Sequence, residues 1–258
     1  MKRLSFFFFL IISLPSIGFG QPQPQFAQTV EPESIPPIHH SLKILLDPIA
    51  RQITVEDTIR FPEELQASSK TFELNNNLII SENSGSLQKL SNNVTDESIE
   101  INATGGLAAA TDEYSLTLPA NNNGQVFFAY SGSIYDLAEQ SSPEYAQSFS
   151  ETSGIIGEQG VYLNHGSAWV PIFDNGLVTF DLEVEFANTA STWKVVSQGD
   201  RNGDNAWVNH DPMEEIYLIA ANFTEYSAQA DDVEVLAYLR TPDSNLATKY
   251  MDATERYL

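Results

Sequence analysis

Leu177-Val178-Thr179-Phe180-Asp181-Leu182-Glu183-Val184-Glu185-Phe186 is the stretch on which the fold turns. Its apolar residues Val178, Phe180, Leu182, Val184 and Phe186 all fall on even numbers, and Thr179, Asp181, Glu183 and Glu185 fill the odd ones. A strand sends alternate side chains to opposite faces, so this pattern gives one apolar face and one acidic face. The even positions are predicted to face a core.

The same alternation recurs on both sides. Upstream, Leu42, Ile44 and Leu46 alternate with polar neighbours, Asp47-Pro48 marks a turn, and Ile53, Val55, Ile59 and Phe61 share one parity, which outlines a β-hairpin. Short strands are predicted at Thr71–Leu74, Leu78–Ser81, Ser98–Asn102, Tyr114–Leu118 and Val126–Tyr130, with Asn- and Gly-rich turns between them. A Ser- and Glu-rich segment from Asp136 to Gly154 reads as a long loop. Beyond it, strands are predicted at Val161–Leu163, Trp193–Ser197, Glu215–Ala221 and Val233–Leu239. Many short strands at close spacing imply a mainly β fold, as a sandwich or curved antiparallel sheets. After Pro242 the period changes. Asp243 or Ser244 caps a predicted helix whose residues Leu246, Ala247, Tyr250, Met251, Thr254, Tyr257 and Leu258 share one face.

Met1-Lys2-Arg3, the apolar run Leu4 to Leu14 and the small-residue exit ending at Gly20 have the form of a signal peptide, so the protein is expected to be exported, to a periplasm or outside the cell. Residues 21–37 are rich in Pro, Gln and Glu without apolar periodicity and read as a linker. The β domain then runs over 38–242 and the helix over 243–258. The chain has 12 Lys and Arg against 35 Asp and Glu, a net charge of −23. Cleavage after Gly20 removes Lys2 and Arg3 and no carboxylate, which takes the charge to −25. So acidic a surface argues against nucleic acid as a partner and, once the signal is gone, against a membrane. There is no cysteine, so neither disulfides nor thiolate metal sites hold the fold.

No catalytic centre is written in these residues. The histidines are His39, His40, His165 and His210, and none lies in H-E-x-x-H, the helical spacing that brings two imidazoles to one zinc. His39 and His40, read as preceding the first strand, are adjacent and point to opposite faces if extended. His210-Asp211-Pro212 reads as a turn, because Pro212 breaks a helix there. Asp200-Arg201-Asn202-Gly203-Asp204, with Asp211 twelfth, imitates the oxygen spacing of a calcium loop, but its glycine falls at the fourth place instead of the sixth, its twelfth ligand is Asp and strands flank it, so a polar hairpin turn fits better. No G-x-S-x-G elbow occurs, and Ser167 beside His165 has no triad spacing.

Gly160-Val161-Tyr162-Leu163, Trp169-Val170-Pro171, Leu177 to Leu182, Val196-Ser197-Gln198-Gly199 and Ile216-Tyr217-Leu218-Ile219-Ala220, in that order, resemble the non-catalytic N-terminal domain of the aminopeptidase-N type of zinc metallopeptidase. The resemblance spans 38–258 and implies a saddle-shaped β domain that frames a substrate cleft. In that family the chemistry lies in the next domain, where a G-x-M-E-N loop holds the substrate amine and H-E-x-x-H with a later Glu binds zinc. This sequence contains neither motif. The resemblance therefore implies no catalytic residue, metal ligand or cofactor in this chain, with zinc expected only in a full-length parent. The partners it implies are the parent's catalytic domain and, in the full-length form, a peptide substrate. The helix over 243–258, ending on its apolar face, is expected to lead toward that domain. Where many relatives carry a T-Q-x-E-x-x-x-A-R pattern at the pocket rim, this chain has Asn164-His165-Gly166-Ser167-Ala168-Trp169, so Asn164 and His165 are the candidates for touching substrate. The alternative is a free-standing secreted β-sandwich module that binds carbohydrate or protein through Trp169, Trp193 or Trp207. Core packing is expected for at least two of these three.

Overall fold

The computed structural model divides the chain into two units, Met1–Ser34 and Ile35–Leu258. It describes residues 36–67, 69–93, 108–119, 123–137, 152–174, 176–187 and 192–257, all of them in the second unit. The signal peptide and nearly all of the linker, the expected strand Ser98–Asn102 and most of the Asp136–Gly154 loop lie outside the described residues.

The first strands are β1 (Ile38–Asp47), β2 (Gln52–Arg60), β3 (Lys70–Asn75), β4 (Leu78–Asn83), β5 (Ser86–Asn93), β6 (Thr111–Thr117) and β7 (Gln125–Gly132). There follow β8 (Ile155–Gly157), β9 (Gly160–Leu163), β10 (Ile172–Phe173), β11 (Val178–Phe186), β12 (Lys194–Val196) and β13 (Asp200–Arg201). The last are β14 (Ala206–Met213), β15 (Leu218–Ala221), β16 (Thr224–Ala230) and β17 (Val233–Leu239), and the helix α1 (Ser244–Glu255) closes the order. The fold is mainly β, as the alternation predicts.

Seven strands form one sheet in the order β13-β14-β11-β1-β2-β7-β4, and two four-stranded sheets run β10-β3-β6-β5 and β12-β15-β9-β8. The expected hairpin is present: β1 and β2 pair antiparallel from His39–Arg60 to Asp47–Gln52. Within sheets that are otherwise antiparallel, β1 and β11 pair in parallel from Ile38–Val178 to Leu46–Phe186. Period-two alternation makes the same face in either orientation, so it carries no information on strand direction.

One apolar cluster joins the three sheets. The even residues Ile38, Leu42, Ile44 and Leu46 of β1, the odd Ile53, Val55 and Ile59 of β2, and Phe180, Leu182 and Val184 of β11 are all buried in it. Phe72 of β3 meets Phe128 of β7 edge to face at 5.5 Å between ring centres, which seats the β10-β3-β6-β5 sheet on the large one. The Trp207 indole N–H on β14 donates to the Val195 carbonyl on β12 at 3.1 Å, which ties in the third sheet. Hairpin β16-β17 forms a separate two-stranded sheet, and α1 packs against both of its strands. The Asp243 carboxylate accepts from the Leu246 amide at 2.9 Å and caps α1 as predicted. Of that helix only Ala247 is buried, and Tyr250 is exposed.

Four segments depart from expectation. β1 begins at Ile38, so His39 and His40 lie inside it. Their opposite facing is confirmed. His40 is buried with Nδ1 2.8 Å from Asp57 Oδ2, while His39 Nδ1 lies 2.9 Å from Thr179 Oγ1 on the outer face. His210, Asp211 and Pro212 continue β14 instead of forming a turn. The β11 register jumps there, from Val178 opposite Met213 to Phe180 opposite Asn209, so the three residues bulge against Thr179 alone. A bulge tolerates a proline, whose missing N–H has no ladder partner to lose. Finally, β5 and β16 are strands that no apolar alternation announces, since their sequences are largely polar.

Leu46 is fully buried and Ile79 is 72% exposed. Leu46→Ala is expected to lower the unfolding free energy by about 2–5 kcal/mol, and Ile79→Ala to change it by under about 0.5 kcal/mol. Urea midpoints of the two variants and the parent chain measure both.

Candidate functional site

A cavity of about 510 Å³ opens where β1 and β11 begin and where the loop after β9 crosses them. Its lining includes Ile38 and Val178 from those strands, Leu177 just before β11, the run from Ala168 to Asp174, and Glu214, Glu215 and Ile216. Asn164 and His165, the two residues expected to touch substrate, both line it.

The loop that presents them is tightly pinned. Residues His165–Ser167 form one 3₁₀ turn, and Ala168 follows with φ of +45°, a left-handed conformation that costs a non-glycine residue about 1 kcal/mol or more. Neighbouring groups hold this geometry in place. The Asn75 side-chain amide donates to the Ser167 carbonyl at 2.8 Å, the Asn75 N–H donates to the Ala168 carbonyl at 2.9 Å, and the Ala109 N–H donates to Gly166 at 2.7 Å. Ser167 is buried, and its hydroxyl donates to the Asn164 carbonyl at 2.6 Å while accepting from the Asn164 N–H at 3.1 Å. Its hydroxyl is thus part of the turn and is not presented as a nucleophile. Trp169 is also buried, with its indole N–H donating to the Ile216 carbonyl at 3.0 Å.

Glu215, which sequence reasoning did not single out, organises the opposite side. Its Oε2 accepts from the His165 N–H at 2.9 Å and its Oε1 accepts from the Tyr217 hydroxyl at 2.7 Å. That second bond, with burial as the next cause, pushes the Tyr217 phenol up to about 12. Tyr217 therefore stays protonated and donating across the neutral range. Gln198 completes the support: its side-chain oxygen accepts from the Tyr217 N–H at 2.9 Å and its NH₂ donates to the Glu215 carbonyl at 3.2 Å. Gly199 next to it has φ of +82°, and a Cβ there would collide with the Val208 carbonyl. The Ser-Gln-Gly segment is thus a backbone brace for the cavity. The expected strand Glu215–Ala221 begins only at Leu218, which leaves Glu215 to Tyr217 free to turn into the site. The only sequence signal for Glu215 is its place just before the Tyr-Leu-Ile-Ala run.

The remaining candidates lie elsewhere. Asp200 and Arg201 form β13, the Asn202 N–H donates to the Ala206 carbonyl, and Arg201 pairs with Glu225 at 2.7 Å, so this segment is a polar hairpin. Among the described residues no three His, Asp or Glu side chains gather as a metal site. His39 stacks on His210 at 6.4 Å on the outer face, with Asp181 3.5 Å from its Nε2. Burial lowers the His39 pKa, with Asp181 opposing. Trp169 and Trp207 are core residues, and the partly buried Trp193 leans on Phe186 at 5.6 Å.

No family model matches the sequence, and no curated protein matches it. Solved structures do. An aminopeptidase N family protein from Idiomarina loihiensis superposes on 84% of this chain and 35% of its own, with a TM-score of 0.52 and 12% identity. Yeast LTA4 hydrolase, solved in complex with bestatin, superposes on 86% of this chain and 33% of its own, with a TM-score of 0.50 and 12% identity. The chain thus has the fold of a region of these proteins and spans about a third of their length, and the fold-level resemblance read from the sequence is found again in three dimensions.

A phenol pKa raised above its unfolded value of 10.0 adds stability that is present below about pH 10 and lost as pH rises toward about 12. Tyr217→Phe is expected to abolish that alkaline loss, and Glu215→Gln to return the Tyr217 titration toward about 10. Phenolate absorbance and thermal unfolding followed across this pH window measure both effects.

Proposed function

We propose that this chain is the non-catalytic N-terminal β domain of an exported zinc aminopeptidase-like metallopeptidase, which frames one wall of the substrate cleft and docks the parent's catalytic domain. The observation that carries this is the extent of the fold likeness: more than four-fifths of this chain matches only about a third of each neighbour. The cavity supports the assignment of a wall, because it is built from the segments that carry the resemblance, between Gly160 and Ile216. The exposed face of α1, with Leu246 and Tyr250 uncovered and Tyr257 exposed just beyond it, supports the assignment of a docking element.

In this role the chain contributes position and shape. The strained Ala168 turn, fixed from Asn75 and Glu215, holds Asn164 and His165 at the cavity edge before any ligand arrives. Zinc, which activates water in such peptidases, does not fit the described residues, since no donor set converges on one point. In this reading its place is in the catalytic domain of the parent. The rival reading, a module that binds through tryptophan platforms, loses support because the Trp169 and Trp207 indoles are buried and hydrogen-bonded to backbone.

The purified chain is expected to hydrolyse no aminoacyl-nitroanilide, with or without added zinc. Turnover that a chelator abolishes, and that a mock preparation lacks, would overturn the proposal.

A further inference from the structure

Two open sites on the large sheet differ in their charge pattern. The groove on its outer face mixes Lys43 and Arg201 among carboxylates. The cavity at the start of β1 and β11 has Asp174, Glu214 and Glu215 in its lining and no lysine or arginine. The chain's overall acidity does not produce that difference, since both sites lie on the same acidic domain. Two of the three carboxylates are fixed in place. The Thr71 hydroxyl donates to Asp174 at 2.8 Å, and Glu215 is held by the His165 N–H and the Tyr217 hydroxyl. A carboxylate oxygen has two lone pairs, so both oxygens of Glu215 retain capacity for a further donor. Glu214 beside it is exposed.

Beneath these charges the wall is apolar, formed by Val170, Pro171, Ile172, Leu177, Val178 and Ile216. A cavity of this size holds several side chains. Ile172 and Phe173 form β10, the outermost strand of its sheet, with β3 on one side only. An edge strand beside an apolar wall suits an extended backbone laid along it.

We infer that this cavity binds an extended peptide segment in which a lysine or arginine side chain lies beside an apolar one, the cation against Glu214 and Glu215 and the apolar group on the Val170–Ile172 wall. The inference rests on the reading of this cavity as the ligand-facing wall of a cleft. It differs from the amine-holding role of G-x-M-E-N, because the cation recognised is a side chain and the carboxylates are this chain's own.

The test uses the full chain and three probes: Ac-Leu-Arg-Leu-NH₂, Ac-Leu-Glu-Leu-NH₂ and leucinamide. The first two have no free α-amine. Binding is followed by the fluorescence of Trp169, which lines the cavity, and by calorimetry. The arginine peptide is expected to bind saturably and about tenfold or more tighter than the glutamate peptide, a preference that added salt weakens. Glu214→Gln, at an exposed position, is expected to reduce arginine-peptide affinity severalfold with no change in thermal midpoint, and the Glu214→Gln/Glu215→Gln pair to remove the charge preference. Equal binding of the two blocked peptides, no binding of either, or binding of leucinamide alone overturns the inference. Those outcomes leave the peptidase-domain proposal standing, whereas chelator-sensitive hydrolysis would remove that proposal without altering the charge preference measured here.

Discussion

The parallel pairing of β1 with β11 is the constraint on which the rest of the structure depends. It joins Ile38–Leu46 to Val178–Phe186, segments 140 residues apart, in the middle of the seven-stranded sheet. Both strands bury their even-numbered residues on the same face, so one pairing aligns two apolar stripes and creates the floor for the other sheets. The entropy of closing so long a loop grows only slowly with its length, and apolar burial along both strands, broken only at His40, offsets it. The cavity is a direct consequence. It opens at the end where the two strands start, and the Ile38 N–H donates to the Leu177 carbonyl at 2.9 Å at its base.

That floor contains one polar cluster. His40 occupies a core position of β1, Asp57 one of β2 and Tyr130 one of β7, and all three are fully buried. His40 and Asp57 meet at 2.8 Å, while His40 Nε2, Asp57 Oδ1 and the Tyr130 hydroxyl have no protein partner. Burial, with Asp57 as the second cause, pushes the Tyr130 phenol well above its usual range. A buried pair of this kind adds little net stability over apolar replacements, but a slipped register would leave its members unpaired. It favours the observed alignment of β1 with β2 over its neighbours, which differ by a step that apolar side chains alone discriminate less sharply.

The cavity shows how unevenly the residues of one lining are marked along a chain. Asn164 and His165 were reachable because they fall within a run of ordered segments that resemble a known domain. Glu215 was not, although it binds the turn that presents them, because a glutamate among 35 acidic residues has no local mark. Gln198 and Gly199 were visible as a motif, but their work was not: one braces Glu215 and Tyr217, and the other permits a backbone approach that a side chain would block. His210 to Pro212 misled in the other direction. Proline argued correctly against a helix there, yet a bulge opposite Thr179 let the strand continue through it.

By itself the sequence determined the strands with apolar alternation, the first hairpin, the capped helix and the burial of two tryptophans. These follow from local rules: side chains alternate along a strand, a carboxylate caps a helix, and large rings seek the core. Only the tertiary structure decided which strands neighbour one another, that β1 and β11 run the same way, and that Glu215 reaches His165 from a segment 50 residues later. The reason is physical. Alternation records which face of a strand is apolar but not which partner covers its edge, and a carboxylate acquires its donors only when distant backbone is brought beside it.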